Sequence, residues 1–191
     1  MLFRFAVAAF MGLSACSDGD GGNAVPNPGD VTGPGTITEL RQTATLSGGY
    51  AGRIRITGEG WPVSTSAQNL QLTFQMEDLA EVRQFEVRVQ PEPANAFDVD
   101  SAVFAASQPF VTPFASGIQI SGNVMRMGGA SLGTGVSGAA SLGTLTIRTS
   151  SSFNSFTEAR LVVTLLSIGP SSSQRDEYQS ETLRLGIDVS E

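Results

Sequence analysis

Apolar and polar residues alternate over much of this chain. Leu70, Leu72, Phe74 and Met76 alternate with Gln71, Thr73, Gln75 and Glu77. Phe85, Val87 and Val89 alternate with Glu86, Arg88 and Gln90, and Leu183, Leu185, Ile187 and Val189 with Arg184, Gly186, Asp188 and Ser190. Ile54 and Ile56 follow the same rule, as do Leu145 and Ile147. A period of two places successive side chains on opposite faces, so each run predicts a strand with one face buried and one wet. Residues 161–168 differ: Val162 and Leu166 join Leu161, Val163 and Leu165. An apolar run on both faces predicts a central strand covered on both sides. Shorter strands are expected at 43–46, 101–105, 118–120 and 124–127, with Gly, Pro and Ser punctuating the gaps. The main competing helix is 77–82, one or two turns at most. Residues 171–181 read as a solvated polar loop. Ala130-Ser131-Leu132-Gly133-Thr134 recurs as Ala140-Ser141-Leu142-Gly143-Thr144, which reads as a Gly/Ser-rich loop feeding a strand. The pattern predicts an all-β fold: an antiparallel β-sandwich or jelly roll of about nine strands.

The alternation stops upstream of residue 36. In 17–35, 14 of 19 positions are Gly, Pro, Asp or Asn, and only Ala24, Val25 and Val31 are apolar. Such a stretch buries too little surface to fold. It predicts a flexible tether with an r.m.s. reach of about 24 Å. Asp18-Gly19-Asp20-Gly21-Gly22-Asn23 resembles the start of a calcium loop, but Gly29 stands where that pattern needs a Glu. It is read as spacer. At the start of the chain, Arg4 precedes a short apolar run, Phe5 to Leu13. The run is shorter than the roughly 20 residues of a membrane span, and a charged start with small residues before a cut describes a secretory signal.

Leu13-Ser14-Ala15-Cys16 then resembles the lipobox of bacterial lipoproteins. That resemblance implies a diacylglyceryl group on the Cys16 thiol and cleavage before Cys16, so that Cys16 anchors the chain in a lipid bilayer. Ser17, rather than Asp, favours the outer membrane, on either its periplasmic or its surface-exposed face. The expected organisation is a signal peptide at 1–15, lipidated Cys16 and tether at 16–35, and the β-sandwich at 36–191.

Composition narrows the chemistry. All 11 basic residues are Arg, since the chain has neither Lys nor His. Without His the usual general base near neutral pH is missing, and without Lys there is no Schiff-base chemistry. The single Cys excludes an intramolecular disulfide and a Cys/His metal centre. No G-x-S-x-G elbow occurs. A net charge of −7 argues against nucleic acid as a partner. No cofactor is implied. Asp98 and Asp100 share a strand face and could ligate a hard cation, but such a pair is more often a solvated strand entry, and no metal site is assigned. Acidic pairs of the glycosidase kind are the enzymatic alternative, though nothing marks two carboxylates as facing one cleft. Sugar binding rests on exposed aromatic faces, and the candidates are Trp61, Tyr50 and Tyr178. Trp61 lies in the turn-rich segment Gly58-Glu59-Gly60-Trp61-Pro62, where plugging one end of the sandwich is the competing role.

Residues 70–168 resemble the cohesin-like β-sandwich domains of bacterial extracellular proteins. The resemblance is carried by Phe85-Glu86-Val87-Arg88-Val89 running into Pro91, by Phe97-Asp98-Val99-Asp100-Ser101-Ala102-Val103-Phe104, and by Ile120 to Gly129. Gly143-Thr144-Leu145-Thr146-Ile147-Arg148 and the 161–168 strand complete it. Where that family often has Tyr-Asp-Pro, this chain has Val89-Gln90-Pro91. The resemblance implies a non-catalytic binding module whose ligand is a dockerin-like protein or a polysaccharide. A structural, self-associating envelope lipoprotein is the alternative. One test follows from the N-terminus. Cys16→Ala should leave unprocessed precursor or soluble protein on membrane fractionation, and a mutant that still sediments with membranes as wild type does would remove the anchor.

Overall fold

The structure is a computed structural model that describes Ile37 and residues 39–46, 54–57, 61–179 and 183–190. Cys16, the 16–35 segment and Tyr50 lie outside these residues. The described chain consists of antiparallel strands and one short 3-10 turn at Phe153–Ser155. The strands are β1 (Glu39–Leu46), β2 (Ile54–Thr57), β3 (Trp61–Pro62), β4 (Asn69–Val82), β5 (Gln84–Glu92) and β6 (Phe97–Ala106). They continue with β7 (Gly117–Ser121), β8 (Val124–Ala130), β9 (Val136–Thr149), β10 (Arg160–Ser171), β11 (Gln174–Gln179) and β12 (Leu183–Ser190).

They form two sheets. The larger has the order β3-β1-β12-β10-β5-β8-β7, with β11 also paired to β10, and the smaller has the order β2-β4-β9-β6. The expected sandwich is therefore what the chain forms. Its inner faces carry the alternating apolar residues: Leu70, Leu72, Phe74 and Met76 from β4, Phe85, Val87 and Val89 from β5, and Met125 and Met127 from β8 are all buried. β10 is the central strand that its two-faced apolar run predicts, with β5 along one edge and β11 and β12 along the other. A register shift between Val163 and Leu165 breaks the strict alternation, which is how Leu165 and Leu166 are both buried.

Two segments depart from expectation. Residues 77–82 are strand, the end of β4, and not helix. The strand absorbs its misfit in register shifts between Met76 and Leu79 and between Leu79 and Val82. Asp78 and Glu81 take left-handed backbone angles there, φ 53° and 51°. These bulges keep Leu79 and Val82 in the core while the polar residues turn outward. The segment read as a polar loop at 171–181 contains β11. Its residues carry no apolar period, but backbone pairing with Leu165 to Ile168 needs none.

An aromatic chain stitches the sheets together. Phe74 of β4 meets Phe104 of β6 edge to face at 6.5 Å, and Phe104 meets Phe85 of the other sheet at 6.2 Å. Phe85 in turn meets Phe110, in the β6–β7 loop, at 5.2 Å. Phe85→Ala should remove about 3–5 kcal/mol of stability in chemical denaturation, and Phe85→Leu much less. A loss under about 1 kcal/mol for the alanine variant would mean that this chain does not hold the sheets.

Candidate functional site

The outer face of the larger sheet is built by the polar half of each alternating pattern. Reading across register, one row runs Gly117, Gly128, Glu86, Ser167, Glu177. The next runs Gln119, Arg126, Arg88, Leu165, Gln179. Arg88 and Arg126 therefore face each other across two strands, an arrangement of like charges that is unfavourable by itself. Glu86 resolves it. One of its oxygens accepts from Arg88 Nε at 2.7 Å and the other from Arg126 at 2.5 Å. The carboxylate lies low on the sheet, and both guanidiniums stand higher and about half-exposed. Burial by itself pushes the Glu86 carboxyl up. The hydrogen bonds and charges of Arg126 and Arg88 outweigh it and hold the group below the usual carboxylate range. Glu86 raises Arg126 further in return.

Beside this cluster lies an open trough of about 510 Å³. Gly117 and Gly128 leave it without side chains along one row, Glu86, Gln119 and Arg126 line one side, and Phe114 to Ser116 of the β6–β7 loop form a wall. That loop is pinned from within. Buried Phe110 anchors it in the core, and the Phe110 carbonyl accepts from Ala130 N–H at 3.0 Å. Only a glycine fits beneath: a Cβ on Gly129 would stand 2.7 Å from the Phe85 ring and 2.9 Å from the Phe110 carbonyl oxygen. Ser116 Oγ closes the turn by donating to the Thr112 carbonyl at 2.8 Å. Phe114 rides on this braced turn, fully exposed and with a left-handed φ of 74°.

The sequence candidates sit elsewhere. Trp61 pairs with Leu40 at the edge of the larger sheet and is half-buried against the core. Tyr178 pairs with Leu166 in β11 and also packs half-buried on the core. Their registers place them towards opposite ends of the sheet, so the two do not form one platform. Asp98 is held by Arg148, Asp100 is exposed, and no three acidic side chains gather as a metal site among the described residues. Sequence reasoning did not single out Phe114, Glu86, Arg88 or Arg126. One signal was available: between Asp100 and Arg148, Arg126 is the only charged residue.

No family model matches the sequence, and no curated protein does. Among solved structures, the chain is similar to a non-cellulosomal cohesin from the hyperthermophilic archaeon Archaeoglobus fulgidus. That pair shares 16% identity over 63% of this chain and 74% of the other, with a TM-score of 0.39. It is also similar to the cohesin module of a family 33 glycoside hydrolase from Clostridium perfringens, at 13% identity over 80% and 96% of the two chains, TM-score 0.40. A third is the sixth cohesin of Acetivibrio cellulolyticus scaffoldin B, solved in complex with a Cel5 dockerin, at 12% identity over 78% and 92%, TM-score 0.44.

Proposed function

We propose that this chain is a non-catalytic binding module, tethered to the outer membrane by lipid on Cys16, that takes a protein partner on the outer face of its larger sheet beside Phe114. The observation that carries the reading is Phe114 itself. A fully exposed aromatic ring in a left-handed backbone conformation is unfavourable twice over, through unburied apolar surface and through strain. The turn that holds it is braced by Phe110 and Ser116, so the ring is presented rather than left loose. Strained residues kept by a rigid surround point to contact with something else, and buried aromatic anchors dominate protein interfaces.

The orientation supports the same reading. Phe114 and the trough lie near the start of β5 and the end of β8. The chain enters the sandwich at the other pole, where Glu39 pairs with Ser190 and Pro62. Six residues of β5, about 20 Å of strand, separate Glu86 from Glu92 at that far pole. This surface and the start of β1 therefore lie towards opposite poles of the sheet, and a leash raises the local concentration of a captured partner. The lack of His and Lys favours binding over turnover.

The cohesin-like pattern of 70–168 makes a dockerin-like domain the first partner to test, using the secreted proteins of the same cell. Phe114→Asn in the full chain should leave the melting temperature unchanged or slightly higher, because Asn tolerates this φ. Retention of the partner should fall by roughly 10–100-fold. A variant that binds as wild type does would remove Phe114 from the interface.

A further inference from the structure

We propose that the Arg88–Arg126 side of the trough is a subsite for one carboxylate side chain of the protein partner, which Glu86 prepares by holding both guanidiniums over the sheet. The inference rests on the reading that this face is the docking surface, and it adds the chemistry of what docks.

Charge is the first support. The chain carries −7, yet this cluster holds two guanidiniums and a single carboxylate. The nearest pair across the same face, Arg175 and Glu177 at 2.7 Å, balances itself. Gln119, Ser167, Leu165, Gly117 and Gly128, the neighbours in register, are neutral. One positive charge therefore stands in excess on β5 and β8, on a molecule whose overall field repels anions, so an anion is drawn to this point of the surface.

Geometry is the second. A guanidinium has five N–H donors. Glu86 takes one from Arg88 and one from Arg126, which leaves donors on both. The Glu86 side chain is 17% exposed, whereas those of Arg88 and Arg126 are 44% and 53% exposed. An entering group therefore meets donors first and the competing carboxylate last. Gly128, in register with Glu86, and Gly117 beyond it leave room for a side chain to lie down. Phe114 stands at the wall of the same trough, placed to cover an apolar neighbour of the acid. Planar, charge-assisted pairing of this kind prefers a carboxylate over a carboxamide.

The test uses the isotope-labelled full chain in detergent micelles, with acetyl-Leu-Asp-amide and acetyl-Leu-Asn-amide as probes. Backbone amide shifts are expected at Gly117, Gln119, Arg126 and Gly128 with the aspartyl probe at millimolar concentration. The asparaginyl probe should bind about tenfold more weakly, and added salt should weaken the aspartyl probe towards it. Arg126→Gln should abolish the preference, with a spectrum otherwise that of the folded protein. Arg55→Gln, on the other sheet, should leave it intact. Equal binding of the two probes, shifts confined elsewhere, or no shifts at all would overturn the subsite. If the probes bind equally while Phe114→Asn still loses the protein partner, the docking face stands and only the acid subsite falls. Acid-selective shifts at the four residues with a silent Phe114→Asn would uphold the subsite and remove the aromatic contact.

Discussion

The contact on which the rest of this structure depends is the packing of Phe85 between Phe104 and Phe110. Phe85 belongs to the larger sheet, Phe104 to the smaller, and Phe110 to a loop. One ring therefore joins both layers and fixes the loop between β6 and β7. The constraint propagates through glycine. Gly143 lies against the Phe104 ring, where a Cβ would come within 2.4 Å, and Gly129 lies beneath Phe85 and Phe110. Bulky rings and missing side chains are two halves of one packing solution, since a core at crystal-like density has no slack for both a ring and a Cβ at these points. Because Phe110 is held, the turn four residues later is held, and Phe114 is displayed from a fixed position.

The polar face obeys a different constraint. Antiparallel register sets Arg88 opposite Arg126, and neither can move without shifting a strand whose other face is core. The conflict is answered locally by Glu86, two residues away on the same face, which reaches both. The arrangement that relieves the repulsion also leaves spare donors and an excess positive charge pointing outward. A structural necessity of the sheet and the proposed recognition surface are here the same three side chains. Leu165, buried on this face at the bulge of β10, gives the cluster an apolar neighbour. Low dielectric on one side strengthens the charge-assisted bonds relative to a fully wet surface.

The edges of the fold show backbone pairing overriding side-chain pattern. β4 runs on past Met76 by spending two bulges, because its partner β9 continues alongside it as far as Val136. β11 forms from Gln-Arg-Asp-Glu-Tyr-Gln because the exposed edge of β10 would otherwise leave carbonyl and amide groups unpaired. In both places the backbone groups of a neighbouring strand outweigh weak local preferences.

What the sequence determined by itself was the class and layering of the fold. The period of two assigns each side chain to a face without reference to any partner, so the core residues of β4, β5, β10 and β12 were legible, as was the central place of β10. The chemistry that composition forbids was also legible, because a missing residue type is missing in every conformation. Residues 77–82 and 171–181 were not, since their fate lay with the neighbouring strand and not with their own pattern. The candidate site was not either. Glu86 and Arg88 looked like the ordinary wet half of an alternating strand, and Arg126 lies 40 residues away in sequence from the carboxylate it serves. Phe114, in an apolar Pro-Phe-Ala stretch, read no differently from a core residue. Trp61 and Tyr178, the aromatics that polarity and turn context singled out, sit half-buried at the margin of the core. Only the tertiary structure decided which loop would be nailed down by Phe110 and which arginines would face each other, because register across strands is a long-range property that no local window of sequence contains.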